Sequence, residues 1–141
     1  MIKVKSSFTI NQSRIRELNL AKITALEQTA EALHTEVVQE QVIPRDTGAL
    51  QNENTFVDKQ NSSSGIVSVV SSTPYARRLY YHPEYNFHRG VWFDAYGERH
   101  EGNAAAGGLW FTPWLPGGTK QDFIPKKFRI LYRRIARLRR N

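Results

Sequence analysis

The sequence contains no cysteine, and this absence excludes disulfide bonds and every metal or redox site that is built on thiolates. Long apolar runs are missing too, since no segment reaches the roughly 18 consecutive apolar residues of a membrane span. The first residues, MIKVKSS, lack the apolar stretch of a signal peptide. We therefore expect a soluble protein that is made in the cytoplasm and has no membrane partner.

The motifs of several enzyme classes are absent as well. The chain has no Gly-x-Ser-x-Gly nucleophile elbow, and no Walker loop or Gly-x-Gly-x-x-Gly turn follows a strand. We accordingly expect no cofactor. With 141 residues, the chain is long enough to form one domain with a buried core.

Acidic residues are nearly absent from the C-terminal end of the chain. Residues 120–141 contain nine basic side chains and one acid, Asp122, which gives this segment a net charge of +8. The other 119 residues carry 11 basic and 12 acidic side chains, a net charge of −1. This asymmetry indicates an acidic partner for the C-terminal segment, either nucleic acid or a negative protein surface.

A long helix is predicted in the N-terminal third of the chain. Apolar residues recur at spacings of three and four from Ile23 to Val37, which is the pattern of an amphipathic helix. Ser13 is a suitable N-cap, and Pro44 disfavours helix at the residue before it, so the helix should end near Gln41. It would contain about 28 residues and measure roughly 40 Å.

The remaining elements are shorter, except for the last. Residues 55–57 and 66–71 predict an antiparallel hairpin. Thr73 and Pro74 predict the start of a short helix, with the threonine hydroxyl as cap and the proline in the first turn. A single apolar stripe from residue 124 to residue 138 predicts a C-terminal helix whose other faces are basic.

These elements together predict an α+β fold. The long N-terminal helix and the basic C-terminal helix should pack on a small, mainly antiparallel β-sheet, with a short central helix and long aromatic loops. Residues 1–119 should form a single α+β domain from which loop 83–108 projects. Residues 120–141 should form the basic helix, either in the same domain or as a docking arm.

The triplet Asp46-Thr47-Gly48 invites an enzymatic interpretation. Two Asp-Thr-Gly loops, one from each subunit of a homodimer, would supply the paired carboxylates of an aspartic protease through Asp46. That chemistry requires a nearly all-β fold, whereas a long helix and Pro44 precede the triplet here. We therefore interpret the segment as a tight turn that Asp46 caps and that Gly48 allows.

Three histidines, His82, His88 and His100, lie near several acidic residues in the sequence. Imidazole and carboxylate groups are zinc ligands, so a metal site is one interpretation. No pair of these residues has the spacing of a recognised zinc motif. We favour scattered surface histidines and predict no metal site.

The basic C-terminal helix has three interpretations. It binds phosphates through salt-dependent electrostatic contacts, it docks on an acidic protein, or it is only a solvated cationic face. Nine basic residues beside one acid exceed what solubility requires. The candidate contacts to an acidic partner or to DNA are Lys126, Lys127, Arg129, Arg133, Arg134, Arg137, Arg139 and Arg140.

Eleven aromatic residues lie between Tyr75 and Trp114. Some must belong to the core, but tyrosine and tryptophan are also enriched at protein interfaces. Stacking on single-stranded bases is a further alternative. Our candidates for a subunit interface are Tyr75, Arg77, Arg78, Tyr80, Tyr81, Trp92, Trp110 and Phe111.

The motifs resemble one protein family when they are taken in order. They are IPRDTGALQN at 43–52 after a long helix, STPYARRLYY at 72–81 with PEYNF at 83–87, and NAAAGGLWF at 103–111. The set is similar to the phage minor capsid proteins, which are related to the tail-completion proteins that join head and tail in long-tailed phages. The resemblance covers about residues 20 to 135, and the stretch 89–102 is longer than the family leads us to expect.

The resemblance implies structural work in the virion and no catalytic residues. It implies a small α+β module that assembles as a ring, commonly a hexamer and alternatively a dodecamer, in the neck between the portal and the tail tube. The implied neighbours are connector or stopper proteins, tail-terminator or tail-tube proteins, and DNA in the lumen. The alternative that does not depend on the resemblance is a nucleic-acid-binding module that uses the C-terminal helix.

Overall fold

The computed structural model describes residues 10–44 and 55–140, with Lys3, Lys5 and Ser7 as isolated positions. Two long helices pack along each other, and a short central helix and two small antiparallel sheets complete the fold. The predicted α+β class is confirmed. The single small sheet that we predicted is replaced by two separate two-stranded sheets.

Helix α1 spans Gln12–Gln39 and has the predicted length of 28 residues. Its N-cap is Asn11 rather than Ser13, because the Asn11 side-chain oxygen accepts a hydrogen bond from the backbone N–H of Arg14 at 3.0 Å. The helix ends where Gln41 adopts a left-handed conformation with φ of 56°.

The predicted hairpin is confirmed as strands β1 (Thr55–Asp58) and β2 (Ser68–Ser71). They pair antiparallel with Thr55 opposite Ser71 and Asp58 opposite Ser68. The connection contains a short 3-10 turn, Ser62–Ser64, and Gly65 follows it with φ of 83°, a conformation that glycine adopts without strain.

The central helix α2 spans Ala76–Tyr80, so it begins later than Pro74, where we predicted its start. Thr73 contributes its backbone carbonyl, which accepts a bond from Ala76 N–H at 3.1 Å. The predicted side-chain cap is wrong, because Tyr75 occupies the N-cap position and the buried Thr73 hydroxyl has no hydrogen-bond partner among the described residues.

The loop that we predicted to project contains a second hairpin. Strands β3 (Val91–Phe93) and β4 (Arg99–Glu101) pair antiparallel, with Trp92 opposite His100. Just outside the two strands, the Gly102 N–H donates a hydrogen bond to the Gly90 carbonyl at 2.8 Å. This sheet is separate from the β1–β2 sheet.

The basic helix α3 spans Phe123–Arg140 and packs antiparallel to α1. The direction follows from two contacts at opposite ends: Arg14 reaches the Ala136 carbonyl at 3.5 Å, and Lys120 bridges Glu40 at 2.7 Å. On α1, the fully buried positions include Ala21 and Ala25, whose small side chains let the two helices approach closely.

Most of the predicted apolar seams face inward, with one exception. Val37 and Ala30 of α1 and Leu131 of α3 are buried. Leu138, the last position of the predicted stripe, is 68 % exposed and lies in the last turn of α3.

Gly108 provides a test of how tightly the loop after the second hairpin is packed. A Cβ added at Gly108 would lie 2.8 Å from the Pro83 Cα and 3.0 Å from the Tyr80 carbonyl oxygen, and both are backbone atoms that cannot swing away. We expect Gly108→Ala to lower the free energy of unfolding by about 1–3 kcal/mol in urea denaturation.

Gly90 is the matched control, because a Cβ added there meets nothing within 4 Å. Gly90→Ala should leave the free energy of unfolding nearly unchanged. Equal stability of the two variants would show that the close approach at Gly108 is not maintained in solution.

Candidate interaction surfaces

The three motifs that are separate in the sequence meet in one hydrophobic cluster. Ile43 comes from the first motif, Ala76 from the second and Trp110 from the third, and each side chain is at most 3 % exposed. Val37 of α1 and Trp114 complete the buried set. Burying an indole and an isoleucine contributes roughly 1.5–3 kcal/mol per side chain, so this cluster is a main source of the fold's stability.

Hydrogen bonds join the third motif to the end of α1. The Asn103 side-chain amide donates to the Ile43 carbonyl at 2.8 Å, and Asn103 is 4 % exposed. Ala105 N–H donates to the Gln41 carbonyl at 3.2 Å, and Gly107 N–H donates to the Val42 carbonyl at 3.3 Å. The alanines and glycines of this segment leave room for the two backbones to run side by side.

The predicted turn lies largely outside the described residues. This applies to Asp46, Thr47 and Gly48, while Pro44 is described and half-buried. The two long helices disagree with the nearly all-β fold that the protease interpretation of Asp46 requires.

An open groove of about 450 Å³ lies beside the motif cluster. It is lined by Thr73, Arg77, Tyr80, Tyr81, Trp110 and Phe111, among other residues. The Tyr80 ring meets Trp110 edge-on at 4.8 Å and Tyr81 edge-on at 5.1 Å. The Tyr80 ring is half-buried, and this burial raises the pKa of its phenol, whereas Tyr81 is 64 % exposed.

Two buried polar atoms among the groove residues have no hydrogen-bond partner within the described part of the chain. They are the Thr73 hydroxyl oxygen and the Trp110 indole nitrogen. A buried donor that stays unpaired costs roughly 1–3 kcal/mol. Both atoms are shielded from solvent, so this cost belongs to the folded monomer and not to the binding chemistry of the groove.

The structure divides the eight candidates for a subunit interface. Tyr75, Arg77, Arg78 and Tyr81 are exposed, and Tyr80 and Phe111 are half-buried beside them. Trp110 is 2 % exposed and belongs to the core, so it is unavailable as an interface anchor. Trp92 lies apart from the groove, in the second hairpin.

The second hairpin has one stacked face and one exposed apolar face. On the first face, Trp92 is stacked between His88 at 3.9 Å and His100 at 4.6 Å. On the other face, Val91 is 52 % and Phe93 is 64 % exposed. The connection adds Tyr96, which is 97 % exposed. Val91, Phe93 and Tyr96 were not among the predicted interface residues, because three consecutive apolar residues do not indicate which side of a strand faces solvent.

Asp94 organises the turn of this hairpin. One carboxylate oxygen accepts bonds from Tyr96 N–H at 2.8 Å and Glu98 N–H at 2.9 Å, and the other faces the His100 Nε2 atom at 2.9 Å. The bond to His100 is the main reason that the pKa of Asp94 lies below its ordinary value.

We expected the histidines to be scattered over the surface, but one of them lies in a cluster with two acidic residues. His82 pairs with Glu84 at 2.6 Å, whereas His100 joins Asp94 and Glu98 in a group whose ligand atoms lie within 4.8 Å of one another. Carboxylate and imidazole groups in such a set can bind a divalent cation. Here both Asp94 oxygens already serve the hairpin turn, so a structural role accounts for the group.

The outer side of α3 combines cations with exposed apolar residues. Ile130 is 46 % and Leu138 is 68 % exposed, and they lie around a shallow hollow of about 400 Å³ with Arg133, Arg134 and Arg137. Of the predicted contacts, Lys126, Arg129 and Arg139 are also exposed and Lys127 is half-buried. The Arg140 side chain lies outside the described part of the structure. The exposed arginines make no ion pair with other described residues.

Comparison of the chain with protein-family models, curated proteins and solved structures finds no match. Among the described residues, no helix combines the length and the apolar character needed to cross a lipid bilayer.

We expect acid pH to destabilise the second hairpin, because protonation of Asp94 weakens its hydrogen bonds. A carboxyl group whose pKa is lowered on folding stabilises the folded state above its unfolded pKa, and this contribution is lost as the pH falls through the folded pKa. In NMR spectra, the amide signals of β3 and β4 should therefore be stable at neutral pH and change below the ordinary pKa of 3.8.

Asp94→Asn is the isosteric control for this transition. Its hairpin should be less stable at neutral pH and should show a weaker response to acid, since the titrating group is gone. An identical acid transition in the variant and the natural protein would assign the transition to another carboxylate.

Proposed function

We propose that this protein is a structural component of the neck of a tailed phage, where copies assemble into a ring that joins the head to the tail. The observation that carries the proposal is the shared core of the three motifs. Ile43, Ala76 and Trp110 lie far apart in the sequence, yet they are buried in one cluster. Motifs that resemble one family in their order, and that each contribute a residue to one buried cluster, fit a common fold.

The exposed surfaces support an assembly role. One chain carries both a groove lined by two tyrosines and an arginine and a hairpin with exposed aromatic rings. Tyrosine and arginine are the residue types that most often dominate binding energy at interfaces. A ring requires two different surfaces on each subunit, so that each copy contacts the next through a heterologous interface. A hexamer is favoured, and a dodecamer is the alternative.

The exposed cations of α3 suit the expected surroundings of such a ring. Duplex DNA carries one negative charge per roughly 1.7 Å of its axis, so DNA passing through the lumen would attract Arg133, Arg134 and Arg137. Acidic surfaces of connector, stopper, tail-terminator or tail-tube proteins would attract them in the same way. We propose a purely structural role, without catalysis, a bound cofactor or membrane binding.

Purified virions test this proposal directly. Mass spectrometry should detect the chain in mature particles, and a cryo-EM map of the neck should contain a ring of copies whose antiparallel α1 and α3 helices fit the density. The absence of the chain from mature particles would contradict the proposal.

A second candidate function is nucleic-acid binding by α3. It is favoured by the exposed arginines of that helix, which form no ion pair with other described residues. For such binding, the affinity for duplex DNA should fall steeply as salt is raised. Arg133→Gln with Arg137→Gln should reduce the slope of log affinity against log salt by about 0.9 for each lost phosphate contact.

Arg16→Gln with Lys22→Gln is the matched control, because it removes two exposed cations from α1 and none from α3. It should leave the salt slope unchanged. Equal slopes for the two double variants would show that α3 is not the DNA-binding surface.

A further inference from the structure

The second hairpin carries an apolar surface that the described part of the chain leaves uncovered. Val91, Phe93 and Tyr96 are all more than half exposed. A two-stranded ribbon is only marginally stable by itself in water. Here the stack of Trp92 between two histidines and the bonds of Asp94 hold the hairpin from its other side. The exposed rings of Phe93 and Tyr96 therefore contribute little to the stability of the isolated chain. Contact with a partner would remove them from water.

The groove offers an aromatic surface that suits the exposed rings of the hairpin. Its rim includes the exposed Tyr81 ring, and its wall includes the half-buried Phe111. A hairpin tip entering the groove would add aromatic contact area against these two rings.

The charges of the two surfaces are opposite. The hairpin contains three acids and one arginine, and two of the acids are paired inside it, Asp94 with His100 and Glu101 with Arg99. Glu98 is left exposed without a cationic partner among the described residues. At the groove, Arg77 is likewise exposed and makes no ion pair in the described part of the chain. Glu98 and Arg77 are thus the two charges available for a contact between copies.

We propose that the β3–β4 hairpin of one copy docks in the groove of the next copy. Phe93 and Tyr96 then cover Tyr81 and Phe111, and the Glu98 carboxylate faces the Arg77 guanidinium. The partner is a second copy because both complementary surfaces occur on the same chain and use different residues. Such a head-to-tail contact repeats around a ring. The inference depends on the proposed ring and names the contact that builds it.

The absence of natural cysteine allows a direct test by cross-linking. Ala95→Cys labels the exposed tip of the hairpin, and Ser72→Cys labels the exposed chain beside the groove. A mixture of these two variants, treated with a short bis-maleimide, should give covalent dimers. Ala95→Cys mixed with Ser63→Cys, which labels the distant β1–β2 connection, should not.

Charge reversal provides a second measurement on the same mixture. Glu98→Arg or Arg77→Glu, placed in both cysteine variants, should lower the yield of cross-linked dimer by roughly tenfold, since like charges then face each other. The combination of both reversals should restore the yield. Circular dichroism checks that each variant retains the helical content of the natural protein.

The outcomes separate this inference from the proposed function. Cross-linked dimers together with rings support both. Rings without a link between positions 95 and 72, or a link of Ala95→Cys to itself, overturn the hairpin contact and leave the neck assignment standing. A chain that forms neither oligomers nor cross-links, and that is absent from virions, overturns both.

Discussion

Burial of the Trp110 indole beside Val37, Ile43 and Ala76 is the interaction on which the other features depend. It fixes the loop that follows the second hairpin against the end of α1 and the start of α2. Leu109, with φ of 52°, turns the chain into this position, and its N–H donates to the Tyr80 carbonyl at 2.8 Å. The local strain of a left-handed leucine, about 1 kcal/mol or more, is offset by the burial of the neighbouring ring.

Both surfaces proposed for assembly are built outward from this cluster. Tyr80 contacts Trp110 on one side and borders the groove on the other, so the core determines the shape of the groove. The bonds from Asn103 and Ala105 to the end of α1 fix the base of the segment that carries the second hairpin. The aromatic residues of this region thus divide into a few that hold the monomer together and a few that face solvent.

The sequence was most informative where a regular period extends over many residues. The 3–4 spacing from Ile23 to Val37, with Ser13 and Pro44 as end signals, predicted α1 to within about two residues. The segments 55–57 and 66–71 predicted the β1–β2 hairpin. The functions of single aromatic residues were less predictable. Trp110 and Trp92 were expected at an interface, but one is in the core and the other is stacked between two histidines. Contacts over long sequence distances decide such positions, and local patterns do not report them.

A double-mutant cycle tests most directly whether the first and third motifs share one core. The variants are Ile43→Val, Trp110→Phe and their combination, and urea denaturation measures the free energy of unfolding of each. Two side chains in one packed cluster should give a coupling energy above about 0.5 kcal/mol. Strict additivity of the two single changes would contradict the account, because it would mean that these motifs are buried independently of each other.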